Sequence, residues 1–323
     1  MPFAAADPFV LLALALALDA LVGEPRWPTH PVVLMGRLIG VLERHLNPAG
    51  ASPARRKGGG ILTLLLTLAT AVLAGGALAW LANGLPFGAL LELVLVAWLL
   101  SARSLHDHVV AVARALRRDG LAGGRRAVSM IVGRDPRALD EAGVARGAIE
   151  SCAENFSDGV VAPAVWYLIG GLPGLFAYKA LNTADSMIGH RSARHGAHGW
   201  AAARLDDLAN LPASRLSALL LVAAALLLPG GRPGAAWRAC RRDAAKHKSP
   251  NAGWPEAATA GALGLRLNGP KRYAGRLRPD AWMGNGRAAC DAGDIERALA
   301  LYRLAVILLA LAAGGTGLIA GLF

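Results

Sequence analysis

Asn182 and Asp185 stand three residues apart in YKALNTADSMIGH (178–190), directly after an apolar run. On a helix they share a face, with Gly189 one turn on. An amide and a carboxylate so placed suit Mg2+ held against a phosphate. That ion takes hard oxygen ligands, keeps several waters and needs only one or two carboxylates. Lys179, Thr183, Ser186 and His190 crowd the same stretch. A polar loop capping a helix is the plainer reading.

A second group follows within about thirty residues, in RLDDLANLPASR. Asp206 and Asn210 are four apart, Asp207 is adjacent, and Arg215 follows Pro212. Two acidic and amide clusters flanking one loop fit the paired metal sites of enzymes that handle phosphates at membranes. The competing reading is local: Asn210 ends a helix before Pro212, and Asp206 pairs with Arg204.

A third group is ESCAENFSDG, where Glu150, Glu154 and Asp158 recur every fourth residue beside Asn155. On a continuous helix they form one acidic stripe, destabilising unless a metal, an arginine or a cationic substrate compensates. A solvated face paired with Arg146 is the alternative. The fourth group is KHKSPNAGWPEAATAGAL. Its Lys246, His247, Lys248, Ser249 and Asn251 are of the types that bind phosphate or carboxylate, and Glu256 opens an Ala-rich helix. A histidine between lysines is more often simply solvated.

The elements that must position these groups are helices. The chain of 323 residues is 54% hydrophobic and only 17% charged, against about a quarter for a soluble domain. Its mean hydropathy is +0.41. The Leu and Ala excess arrives in blocks, as in membrane spans. Candidate spans lie at 8–22 (short, with Asp19 inside), 60–81, 87–100, 159–177 (broken by GGLPG), 211–229 and 298–323. The second reaches about 33 Å, enough to cross hydrocarbon. Asn83, Gly84 and Pro86 turn it back into the third. Residues 101–157 and 231–296 read as polar helical loops. Asp135-Pro136 reads as a helix start. The expected fold is thus all-α, a polytopic integral membrane protein forming a single domain.

The net charge of +12 has two competing causes. One is nucleic acid, and no RNP, zinc-finger or helix-turn-helix pattern supports it. The other is the cytoplasmic bias of Lys and Arg, with attraction to anionic lipid. On that rule the loops before Gly60, after Ser101 and after Pro229 are cytoplasmic. Simple alternation then places residues 179–210 outside, whereas a re-entrant GGLPG segment keeps them inside. Cys152, Cys240 and Cys290 have neither CxxC partners nor histidines at ligand spacing, which argues against structural zinc and a disulfide framework. His30, before Pro31, reads as structural. There is no basic n-region of a cleavable signal. GxxxxGK(S/T), a strand-bound GxGxxG and GxSxG are all missing, so no familiar motif marks a nucleotide site.

Taken together, GEPRWPTHPVVLMGRLI, ESCAENFSDGVVAPAVWYLIGGLPGLFAYKALNTADSMIGH, ARLDDLANLPASRL and HKSPNAGWPEAATAGALGLRL resemble the adenosylcobinamide-phosphate synthase (CobD/CbiB) family of cobalamin biosynthesis. The resemblance covers nearly the whole chain in the same order. His190 stands where an aromatic is common in that family and is assigned no role.

The resemblance implies an inner-membrane enzyme of late corrinoid assembly with its active loops in the cytoplasm. It would join (R)-1-aminopropan-2-ol, or its O-phosphate, to the free propionate of adenosylcobyric acid. The partners implied are the corrinoid, the amine, the lipid bilayer and other late cobalamin-assembly membrane enzymes. A carboxylate must be activated before an amine attacks it, which implies ATP and Mg2+. On this reading Asp185, Asp206 and Asp207 serve the metal, supported by Asn182 and Asn210. Glu154 deprotonates or orients the amine. Lys179, Arg215, Lys246 and Lys248 hold phosphates or the activated carboxylate. Glu150, Asn155, Asp158, His247, Ser249, Asn251 and Glu256 complete the substrate contacts.

Two other readings stand beside it. A Mg2+-dependent phosphotransferase or prenyltransferase of the membrane calls for a second aspartate soon after Asp185, which DSMIGH lacks. A non-catalytic scaffold or transport subunit calls for binding without turnover, yet the polar clusters lie in loops rather than mid-span.

Overall fold

The structure is a computed structural model. It describes residues 7–23, 30–133, 135–190, 192–273 and 276–322. Residues 24–29, part of the N-terminal motif, fall outside these. The chain divides into two compact units, each assembled from separate stretches. The first comprises Met1–Ser101, Ala162–Asn210 and Ala313–Phe323; the second comprises Ala102–Val161 and Leu211–Ala312.

The first unit contains α1 (Pro8–Val22), α2 (Pro31–Leu46), α3 (Pro53–Gly84), α4 (Gly88–Leu99), α7 (Ala162–Ile188), α8 (Trp200–Ala209) and the end of α12 (Ala292–Ala320). Helices α1, α2 and α3 each begin on a proline, where the missing N–H would have had no partner anyway. Asp7 caps α1 by accepting from Phe9 N at 2.8 Å and Val10 N at 3.1 Å. His30 caps α2 through Nδ1, and its Nε2 lies 3.2 Å from Trp98 O. That is the structural role expected of it. Ser52 caps α3, so this helix starts seven residues before its apolar run.

Helix α3 packs along α7. Gly75 makes the approach possible, because a Cβ there would sit 2.8 Å from the backbone of Leu172 and Pro173. At that level α7 breaks: Gly171 adopts φ 57° and ψ −149°, a conformation open to glycine, and Pro173 follows. This is the interruption anticipated at GGLPG.

The second unit contains α5 (Ala102–Val128), α6 (Glu141–Phe156), α9 (Leu211–Leu227), α10 (Pro233–Asp243), α11 (Gly253–Leu263) and the start of α12. Helix α11, buried from Glu256 to Leu263, is its centre and packs on α9 and α10. Phe156 meets Tyr302 edge to face at 5.6 Å, and the Tyr302 hydroxyl donates to Ala102 O at 2.8 Å. Asp135 starts a short 3-10 turn at Pro136–Ala138 by accepting from Arg137 N.

Two features depart from the sequence reading. Residues 231–296 also carry short antiparallel strands: β1 (Leu267–Asn268) pairs with β4 (Trp282–Met283), and β2 (Lys271–Tyr273) with β3 (Arg276–Arg278). Strands of two or three residues leave no readable alternation. The second is a π turn at Ser157–Val161, which breaks the four-residue register on which the acidic stripe depended. Glu150 is buried on α6, whereas Glu154 is exposed.

Among the described residues the fold is all-α apart from these short strands. Among the described residues, four helical stretches, Pro53–Gly84, Gly88–Val128, Glu141–Ile188 and Ala292–Ala320, are long and apolar enough to cross a membrane; α8 with α9 makes a fifth if read as one broken span. Leu65, Leu73 and Leu311 are more than half exposed on these helices. Lipid is the solvent such side chains suit. The chain is a multi-pass membrane protein.

Candidate functional site

Within the first unit, α7 and α8 bring together the groups singled out at 178–190 and 204–210. Asp206 is buried, 7% exposed. Its Oδ2 accepts from Asn210 Nδ2 at 2.9 Å, and that same nitrogen reaches Asp206 O at 3.1 Å. Asn210 also accepts at Oδ1 from the Tyr178 hydroxyl, at 2.8 Å. The Asn182 amide reaches Asp206 from α7, and the negative charges of Asp185 and Asp207 both act on it. The other oxygen, Asp206 Oδ1, is buried and has no hydrogen-bond partner among the described residues. A buried carboxylate oxygen left in this state is costly unless something charged or protonic meets it.

Asp185 keeps its place because residue 189 is glycine: a Cβ there would lie 1.9 Å from Asp185 Oδ1. Asp207 is less buried and stands 3.8 Å from Arg204. The predicted Arg204 pair thus forms with Asp207, not Asp206. Lys179 is buried and donates to Ser101 Oγ at 3.3 Å. Among the described residues, no three His, Cys, Asp or Glu side chains are arranged to hold a metal ion. Asp206 and Asp185 carry the hard oxygen donors that a cation of the Mg2+ type takes.

A network missing from the sequence reading fixes the loop joining these two helices. Glu43 of α2 accepts from Arg194 at 2.7 and 2.9 Å in a bidentate pair. His195 Nε2 lies 3.3 Å and Asn47 Nδ2 3.2 Å from Glu43 Oε1. Arg56 bonds both Asn47 Oδ1, at 2.8 Å, and Arg194 O. The Arg194 guanidinium holds the Glu43 carboxyl down to about 2, more than offsetting burial, with Asn47 and His195 assisting. His198 lies 3.2 Å from Arg56 O and 3.4 Å from Thr63 Oγ1, and burial lowers its pKa. The loop's ends touch, since a Cβ on Gly199 would sit 1.7 Å from Ile188 O. The bonds from the loop to Glu43, Arg56 and Thr63 each span more than a hundred residues and leave no trace in local spacing.

The remaining predicted residues belong to the second unit. Glu150 Oε1 accepts from Asn268 N at 2.7 Å, and Arg146 stands 3.9 Å away, so this carboxylate fastens β1 to α6. Glu154 and Asn155 are exposed, and Asn155 Nδ2 donates to Ser151 O at 2.9 Å. Asp158 lies on the π turn.

The cations of the KHK stretch face carboxylates. Lys246 donates to Asp243 Oδ1 at 2.9 Å, and Lys248 pairs with Asp280. Burial alone would raise the Asp243 carboxyl, but Arg242, Lys246 and Gly284 N reverse that and hold it below the usual range. His247 Nδ1 accepts from Ser249 N at 3.1 Å, and its Nε2 stands 3.7 Å from Glu256. Arg215 donates to Asn251 Oδ1 at 3.1 Å and Ser214 Oγ at 2.9 Å, with Trp254 stacked 5.0 Å away. Ser249 Oγ accepts from the N–H groups of Asn251 and Ala252. This stretch is a preorganised polar surface at the start of α11.

Comparison with known proteins places the chain. The protein-family profile described as CobD/Cbib protein matches residues 12–302. The protein named Cobalamin biosynthesis protein CobD from Sinorhizobium fredii (strain NBRC 101917 / NGR234) is 53% identical over 311 residues, covering 94% of this chain and 95% of the relative. The one from Rhizobium meliloti (strain 1021) is 53% identical over 304 residues, covering 92% and 93%. The one from Rhodobacter capsulatus is 46% identical over 303 residues, covering 92% and 93%. No solved structure matches. With matched residues running through both units and nearly end to end, this membrane chain belongs to the CobD/CbiB protein family.

Proposed function

We propose that this chain works in cobalamin assembly, as its relatives' names state for them, and that it forms an amide bond. The acid is the free propionate of adenosylcobyric acid; the amine is (R)-1-aminopropan-2-ol or its O-phosphate. The observation that carries the reading is Asp206: one oxygen is fixed by an oriented amide, the other is buried without a hydrogen-bond partner among the described residues, and Asp185 stands close by.

The chemistry asks for three things. The propionate oxygen must become a leaving group, by transfer of a phosphoryl or nucleotidyl group from ATP. Mg2+ held by Asp206 and Asp185 would neutralise phosphate oxygens in that transfer. The amine must then be presented neutral, attack the activated carbon and lose a proton as phosphate or nucleotide departs. Asp206 and Asp185 offer oxygens to the cation or to the incoming ammonium. Tyr178, Asn210 and Asn182 orient Asp206 for that role. Donors such as Lys179 balance charge growing on the oxyanion, where one well-placed donor is worth about a hundredfold in rate.

The test is to incubate purified protein with adenosylcobyric acid, either amine, ATP and Mg2+, and to seek the amide product by mass. Product formed by wild type and lost in Asp206→Asn supports the reading. Corrinoid binding without product supports the non-catalytic subunit instead.

A further inference from the structure

Three of the cations expected to hold anions lie in the second unit, and the structure separates them. Lys246 is engaged by Asp243, and Lys248 by Asp280. Arg215 is different: its contacts among the described residues are all with neutral groups. It is also the single charged residue of apolar α9. An ionised side chain on such a helix is costly, and it marks a functional position unless a counter-charge meets it.

The guanidinium is held in one place. Its Nη1 donates to Leu211 O, one turn back, at 3.2 Å, to Ser214 Oγ at 2.9 Å and to Asn251 Oδ1 at 3.1 Å. Ser214 Oγ lies 3.1 Å from the same Asn251 oxygen, and both residues are buried. Asn251 is fixed in turn. Ser249 Oγ accepts from its N–H, and Trp254 N donates to Asn251 O at 3.0 Å. The Trp254 ring lies 5.0 Å under the guanidinium carbon. All of these hydrogen bonds use Nη1. The Nε and Nη2 N–H groups form the side-on fork of the guanidinium, and they meet no acceptor among the described residues. Arg215 is only partly buried, so the fork is not enclosed. Two parallel donors at this spacing match two oxygens of a phosphate or carboxylate. A dianionic phosphate gains more from an uncompensated cation than a singly charged carboxylate does.

We propose that the Nε–Nη2 edge of Arg215, oriented by Asn251 and Trp254, binds the phosphate group of a soluble phosphate ester. Which ester it takes rests on the function proposed above, where the amine O-phosphate is one of the reactants. The whole protein, in dodecyl maltoside without corrinoid or Mg2+, is titrated with aminopropanol O-phosphate, inorganic phosphate, free aminopropanol and acetate at constant ionic strength. The Trp254 fluorescence is taken as the difference between wild type and Trp254→Phe. Both phosphates should change it saturably; free aminopropanol and acetate should not. Arg215→Gln should raise Kd at least tenfold. Arg215→Lys, which keeps the charge and loses the fork, should raise it about threefold. Asn251→Asp places a carboxylate on Nη1 and should raise it at least fivefold. The response should persist in phosphatidylglycerol nanodiscs. Its loss there would assign the fork to lipid phosphate and overturn the proposal. So would an equal response to acetate, or a phosphate response unchanged in Arg215→Gln or Arg215→Lys. A wild type without any response, with Arg215→Gln merely melting lower, would leave Arg215 a structural tie and overturn it too. No turnover is read, so product formed without this response removes the Arg215 site alone. The response without product removes amide formation alone.

Discussion

The Tyr178 hydroxyl donates to Asn210 Oδ1 at 2.8 Å, and this decides which way the Asn210 amide faces. With its oxygen engaged, Asn210 must present Nδ2 to Asp206 Oδ2, 2.9 Å away. The orientation of one buried amide thereby decides that Asp206 Oδ2 meets a donor and not an acceptor. Tyr178→Phe keeps the ring and removes the donor. It should lower kcat about tenfold with little change in KM, and cost about 1 kcal/mol of stability. Steady-state kinetics and a thermal melt on the same preparation check this. A raised KM with unchanged kcat would assign Tyr178 to substrate binding.

The Glu43–Arg194 pair should act at a distance from that site. Glu43→Gln removes the bidentate pair and should lower Tm by several degrees. It should also loosen the 189–199 loop, seen as faster hydrogen exchange confined to that loop and the start of α8. Exchange unchanged there would show that the loop is held without Glu43.

Acid should weaken the first unit in two steps. Burial depresses the His198 pKa below 6.5, so the unfolded chain binds that proton more readily and stability falls as pH drops below about 6.5. Glu43 is lowered from 4.5 to about 2. Its contribution is complete above about 4.5 and is lost as pH falls toward 2. Tm against pH should show both, and His198→Gln should remove the upper step alone.

Gly75 and Gly76 are neighbours on α3 with opposite expectations. A methyl at 75 meets Pro173 and Leu172 backbone at 2.8 Å, and one at 76 meets nothing within 4 Å. Gly75→Ala should destabilise by about 1–3 kcal/mol. Gly76→Ala should stabilise by about 0.5–1 kcal/mol, the helix propensity difference. Paired melts in one detergent decide it.

How much of this was legible follows from where the information sits. Apolar runs point to membrane-crossing helices because hydrocarbon imposes length and composition. Their start at residue 60 missed the polar first turns of α3, which belong to the helix through Ser52 and Pro53. Asp185, Asp206 and Asn210 were readable because each sits one helical turn from another candidate. The roles of Glu150 and Lys248 were not, because Asn268 and Asp280 reach them across the fold. Tyr178 lay inside the quoted motif, yet a tyrosine among apolar residues signals packing, and only the coordinates reveal what its hydroxyl touches.

The proposed chemistry turns on Asp206. The most direct measurement compares amide product formed by wild type, Asp206→Asn and Asp207→Asn, each purified and supplied with adenosylcobyric acid, aminopropanol or its phosphate, ATP and Mg2+. The expected result is product from wild type, a loss of about a hundredfold or more in Asp206→Asn, and a much smaller loss in Asp207→Asn, whose carboxylate already faces Arg204. Near-normal turnover by a folded Asp206→Asn protein would contradict it.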